Sequence, residues 1–124
     1  MNTNQIGLIS ESKILTRFLE KGEIVLKPVG DQRYDLVLDR GGDFMRVQCK
    51  TGRIKDNGAI EFGTSSLDKS YIGEIDYFAV YVPEINTVFL VPVNDVGEKK
   101  GYLRLLLPAN KQKKHINYAY KYVY

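Results

Sequence analysis

The chain has 124 residues, 44% of them hydrophobic and 27% charged, with a net charge of +3. That size and balance fit one domain over 1–124, with no apolar run approaching the roughly 18 residues of a membrane span and no secretory pattern in MNTNQIGLISESK. The lone cysteine, Cys49, excludes an internal disulfide and implies a reducing, cytoplasmic compartment.

The first predicted element is a helix over residues 4–20, closed by Gly22. At about 100° per residue, Leu8, Ile14, Leu15, Phe18 and Leu19 share one face. Glu11 falls inside that face. A carboxylate there needs a partner, and two readings stay open: a rim salt bridge, or a ligand or catalytic acid. Strand-like runs follow at 23–29 and 34–40, separated by the polar turn GDQR (30–33). Gly41-Gly42 is a two-residue hairpin signal, and DFMRVQCKT (43–51) is the returning strand. Further strands are predicted at 59–62, 75–82, 87–93 and 101–108, with a polar loop over 63–73. In the last stretch, HINYAYKYVY, the tyrosines alternate as in a strand while Ile116, Ala119 and Val123 keep helical spacing; the expectation is a helix.

Charge is unevenly spread. Residues 1–98 carry 11 Lys+Arg against 15 Asp+Glu, whereas 99–124 carry Lys99, Lys100, Arg104, Lys111, Lys113, Lys114 and Lys121 and no acid. Such a tail suits a polyanion such as nucleic acid; a solvated basic tail explains it nearly as well.

The chemistry concentrates in RVQCKT (46–51). If Arg40 faces Asp43 across the Gly41-Gly42 turn, Asp35 stands opposite Gln48, and Lys50 lies one step along the same side. Leu36, Leu38, Val47 and Cys49 then form the apolar side, where the helix packs and Glu11 can approach. Hard cations take oxygen ligands. Asp35 and Glu11 offer carboxylates, Gln48 an amide oxygen, and Cys49 a backbone carbonyl. Lys50 would orient a nucleophile or neutralise charge on a phosphate. This set suits metal-assisted phosphodiester hydrolysis; an exposed Lys–Asp ion pair on a hairpin is the plainer alternative. Arg33, Arg46, Arg53 and Lys55 are candidate phosphate contacts, Arg46 foremost; capping the GDQR turn is the plainer alternative for Arg33. Ser65, Lys69 and Tyr71, with Thr64 and Ser66, lie in a loop suited to groove contact, and Lys113 with Lys111 and Lys114 suits backbone clamping. His115 has no second His or Cys nearby to make a zinc pattern.

A helix with an internal Glu, a hairpin with Asp, and then Q-x-K resembles the PD-(D/E)XK nuclease superfamily. Within it, PVGDQRYDLVLD (28–39), RVQCKTGR (46–53), SYIGEIDYFAVYVPE (70–84) and VFLVPV (88–93) resemble the group that includes homing endonucleases encoded by group I introns of cyanobacterial type. The resemblance implies an α/β fold with a central mixed sheet flanked by helices. It implies Glu11, Asp35, Gln48 and Lys50 as the catalytic set. It also implies Mg²⁺, with Mn²⁺ able to substitute, double-stranded DNA as substrate, and a homodimer or homotetramer. Most of the superfamily carries an acid where Gln48 stands; this group carries Gln, which suggests weaker divalent binding and a one-metal arrangement. A Holliday junction resolvase of the same fold and a non-cleaving DNA-binding module are the rival expectations.

Overall fold

Asn2 starts the first helix. Its side chain accepts the Gln5 N–H (2.9 Å) and the Gln5 side chain accepts the Asn2 N–H (3.0 Å), a capping box that opens α1 (Thr3–Glu20). These contacts come from a computed structural model that describes residues 1–105 and 116–124. The buried row of α1 is Ser10, Ile14 and Phe18, spaced by four. Leu8 and Leu19, expected on the buried face, are 64% and 58% exposed. The row shifts because a polar residue belongs to it: the Ser10 hydroxyl meets that of Thr51 at 2.5 Å, so its burial is satisfied. Glu11 consequently sits half-buried at the rim of the helix interface.

A five-stranded sheet lies against α1 in the order β1 (Ile24–Leu26), β2 (Leu36–Arg40), β3 (Asp43–Thr51), β8 (Tyr77–Val82), β9 (Thr87–Pro92). Only β3 and β8 run parallel, so the sheet is mixed. The hairpin register is the expected one, from Arg40 opposite Asp43 to Leu36 opposite Val47. Both turn glycines have positive φ, +67° and +99°, as a type I′ turn requires. The crossover from β3 to β8 holds β4 (Arg53–Ile54), β5 (Ala59–Gly63) and a small hairpin, β6 (Ser65–Ser66) and β7 (Lys69–Ser70), where a plain loop was expected.

The two faces of the sheet carry two cores. Leu36, Leu38, Val47, Ala79 and Tyr81 meet Ile14 and Phe18 of α1. Phe78, Val80, Val82, Phe89 and Val91 meet Ile60, Phe62 and Leu103. The second cover is thus a three-stranded sheet, β10 (Lys100–Arg104)–β5–β4, rather than a second helix. Its packing is close: a Cβ at Gly101 would lie 2.4 Å from the Phe62 ring.

The C-terminal segment corrects the expected helix. It holds one 3₁₀ turn, Ala119–Lys121; before the turn Asn117 and Tyr118 meet Arg104 of β10, and after it the chain runs along β9. The Leu90 N–H donates to the Tyr122 carbonyl (2.8 Å) and the Tyr124 N–H to the Val88 carbonyl (3.0 Å), which covers an otherwise open sheet edge. Neither the tyrosine alternation nor the helical spacing carries through the segment, which makes isolated bridges from Tyr118 to Arg104 and from Val123 to Phe89.

Candidate active site

Asp35 ends the loop that enters β2, and its N–H donates to the Val47 carbonyl (2.9 Å). Beyond that bond β2 has not begun, so β3 lacks a backbone partner there. The Asp35 carboxylate fills the gap by accepting the Cys49 N–H at 2.9 Å. A strand residue's N–H and C=O leave the same edge, so the Cys49 carbonyl also faces this opening between β2 and β3.

Gln48 lies beside Asp35. With its amide turned to suit its neighbours, Nε2 donates to Asp35 Oδ2 (3.2 Å) and to the Arg33 carbonyl (2.7 Å). Glu11 approaches from α1 and pairs with Lys27 Nζ at 3.4 Å. Glu11, Asp35 and Cys49 line one cleft of about 450 Å³, with Thr3 and Gly7 of α1 as its wall. An adjoining groove of about 460 Å³ continues past Ser10, Lys50 and Thr51 to Arg53.

Burial pushes the Asp35 carboxyl above the usual aspartate range. The Cys49 N–H opposes this, the Glu11 charge adds to it, and Lys50 and Lys27 pull it back. Burial, aided by Asp35 and Glu11, also pushes the Cys49 thiol well up, so it stays protonated and is no nucleophile. Lys50 lies on the opposite side of β3. Its Nζ is 3.5 Å from the Tyr71 hydroxyl and 5.0 Å from the centre of that ring.

The geometry therefore brings Glu11, Asp35, Gln48, Cys49 and Lys50 to one junction. The expected DNA contacts scatter. Arg46 is held by Asp76, through its N–H (2.7 Å) and Nε (3.4 Å), and by the Gly73 carbonyl. Arg53 pairs with Glu84 at 3.6 Å, and Lys55 is exposed. Ser65 and Lys69 belong to the β6–β7 hairpin, where Lys69 Nζ meets Glu74 at 3.1 Å. Lys113, with Lys111, Lys114 and His115, lies outside the described residues.

Lys27, beside Glu11, was not among the expected site residues, and the contacts of Arg33 differ from those of a turn cap. Arg33 does not cap the GDQR turn; its guanidinium reaches across to Glu74 and to the Lys69 and Ser70 carbonyls. No local pattern signals either contact, since each partner lies on an element distant in sequence.

The donors offered are oxygens: two carboxylates, the Cys49 carbonyl and the amide of Gln48. Among the described residues no three His, Cys, Asp or Glu side chains cluster as a metal site. A hard divalent cation that keeps several waters fits such a sparse oxygen set; a soft-ligand metal does not.

A family model described as PD-(D/E)XK endonuclease matches residues 1–124. A search of curated proteins gives no match. Among solved structures, the chain is similar to the bacterial homing endonuclease I-Ssp6803I, with TM-score 0.74 and 24% identity over 98% of this chain and 86% of that one. It is also similar to Hjc, a Holliday junction resolvase of the archaeal hyperthermophile Archaeoglobus fulgidus, with TM-score 0.53 and 15% identity over 79% of this chain and 83% of that one. At these identities both likenesses concern the fold.

Proposed function

The chain belongs to the PD-(D/E)XK endonuclease family, and from that premise we propose that it is a Mg²⁺-dependent endonuclease hydrolysing phosphodiester bonds of double-stranded DNA, of homing-endonuclease type. The observation that carries the reading is the convergence of Glu11 and Asp35 on one cleft, beside the strand edge that presents the Cys49 carbonyl. Lys50 acts on Asp35 electrostatically from the same strand.

In this reading Asp35, the Cys49 carbonyl and Glu11 would hold the cation. A bound Mg²⁺ supplies acidification of a water and neutralisation of charge on the phosphate. Asp35 is oriented for its part by the Cys49 N–H and the Gln48 amide. Lys50 stabilises negative charge building on the phosphate oxygens or orients the nucleophile. Lys27 screens Glu11 until substrate arrives. Mn²⁺ is expected to substitute, since it accepts the same oxygen donors.

Gln48 is the departure from the acid most relatives carry. Its hydrogen-bond partners assign its nitrogen, not its oxygen, to the Asp35 side, so the amide must turn for its oxygen to join a shared cation. A neutral residue also removes one charge from the ligand set, which supports weak, single-cation binding. Gln48→Glu is therefore expected to lower the Mg²⁺ concentration giving half-maximal cleavage by about tenfold, one added charge-assisted ligand being worth roughly that. A titration of cleavage against Mg²⁺ checks this, and an unchanged midpoint refutes it.

Arg53 at the end of the groove, with Lys55, is proposed to follow the DNA backbone. Arg46, Ser65, Lys69 and Lys113 remain candidates for further contact. Each chain carries one such constellation, so cutting both strands calls for a second copy in a symmetric assembly, a dimer or tetramer. Ile24, Leu26 and Phe44, exposed on the sheet face away from α1, offer apolar surface for it. A resolvase would prefer four-way junctions to linear duplex. Competition between the two substrates in one cleavage reaction decides between these nuclease readings.

A further inference from the structure

The Arg33 side chain is held on several sides around the site, and among the described residues its contacts are not to Glu11, Asp35, Gln48 or Lys50. Its Nε donates to Glu74, and its Nη2 donates to the Lys69 carbonyl (2.9 Å) and the Ser70 carbonyl (3.0 Å). Its guanidinium lies 3.9 Å from the centre of the Tyr71 ring. Arg33 and Lys69 hold the Glu74 carboxyl below its usual range, so the anchor stays ionised. Tyr71 is 3% exposed and packs edge-on against Phe78, 5.6 Å between ring centres. That ring is fixed, and so is the hydroxyl that meets Lys50.

Two links then lead from this assembly to the strand that carries the chemistry. The Arg33 carbonyl accepts the Gln48 amide, and the Tyr71 hydroxyl and ring face the Lys50 ammonium. The outer end of the assembly is the β6–β7 hairpin. Its two turn residues, Leu67 and Asp68, adopt φ of +52° and +58°, a tight turn held without glycine. Leu67 is 98% exposed at its tip.

We propose that Arg33 and Tyr71 are positioning residues: they fix the Gln48 amide and the Lys50 ammonium relative to each other and to the β6–β7 hairpin. The proposal rests on the nuclease reading above and adds two residues to it. Arg33 acts through its fork, which spans one carboxylate and two carbonyls while its plane stacks on Tyr71. A lysine offers a point charge and cannot reproduce that. Tyr71 acts through the hydroxyl and the ring face that together limit where a flexible four-carbon side chain can place its charge.

The test is steady-state cleavage of duplex DNA with Mg²⁺, paired with DNA affinity measured in Ca²⁺. Tyr71→Phe is expected to lower kcat about three- to tenfold with KM and affinity within about twofold. Arg33→Gln is expected to lower kcat by about tenfold or more, again without loss of affinity, and Arg33→Lys is expected not to rescue it. A phosphate contact would behave oppositely: Arg33→Gln would weaken binding, flatten its salt dependence and spare kcat. That result overturns the proposal, as does wild-type turnover in both variants. If Arg33→Gln fails to fold, Tyr71→Phe decides, because it deletes a single oxygen. If the wild-type protein cuts no DNA, the nuclease reading fails on its own. The crystal structure of Tyr71→Phe still decides the positioning claim: a Lys50 ammonium displaced by about 1 Å or more supports it, and an unmoved one refutes it.

Discussion

Asp35→Asn is expected to abolish cleavage, by about 10³-fold or more, while making the protein itself more stable at neutral pH. The activity loss follows from removing the central carboxylate of the proposed cation site. The stability gain follows from the raised pKa of Asp35. Below the ordinary aspartate value of about 3.9 the group is protonated in both folded and unfolded chains, and its burial costs little. As pH rises through the raised folded-state pKa, the ionised carboxylate bears its desolvation and its proximity to Glu11, and stability is lost. Asn bears neither cost, and its amide oxygen still accepts the Cys49 N–H. Thermal melts in EDTA check the prediction. The variant should melt above the wild type at pH 7, with the gap closing as pH falls toward 4. A variant that melts below the wild type at pH 7 would show that the Asp35 charge holds the junction together.

Phe78→Ala is expected to carry the largest stability cost, about 3–5 kcal/mol, against a total of about 5–15 kcal/mol for a domain of this kind. Phe78 is 1% exposed and meets two rings edge-on, Phe62 at 5.7 Å and Tyr71 at 5.6 Å. Its removal opens a cavity under both, and the close approach of Gly101 to Phe62 leaves little room for the neighbours to collapse into it. Urea unfolding should show a lowered midpoint at an unchanged slope. Val29→Ala is the control: Val29 is 99% exposed between β1 and β2, and its loss should cost under about 0.5 kcal/mol. Equal costs for the two would mean that the core on the Phe78 side of the sheet is not the one described.

The central hairpin was legible in the sequence because its signals are local. Gly41-Gly42 sets the turn, the turn sets the register, and the register puts Asp35 beside Gln48. The helix was legible in its limits and less so in its orientation. Ser10 is buried because Thr51, 41 residues away, satisfies it, and no helical periodicity carries that fact. Leu8 drew the predicted face toward itself, yet it stands on the rim of the cleft. Lys27 and Arg33 escaped for the same reason as Ser10: their partners Glu11 and Glu74 are brought in by tertiary packing alone. The tail escaped because a strand-period pattern and a helical one coexist over ten residues and the chain follows neither, turning at Ala119–Lys121 between Arg104 and the open edge of β9.

The claim that this junction cuts DNA is tested most directly on supercoiled plasmid, with wild-type protein and Lys50→Ala side by side, in Mg²⁺ and in EDTA. The wild type should nick or linearise the plasmid in Mg²⁺ and leave it intact in EDTA. Lys50→Ala should be slower by about 10²-fold or more, as loss of one charge-stabilising group at a reacting phosphate implies. Plasmid that stays intact in Mg²⁺ while the wild-type protein binds it would contradict the account, and so would a Lys50→Ala variant that cuts at the wild-type rate.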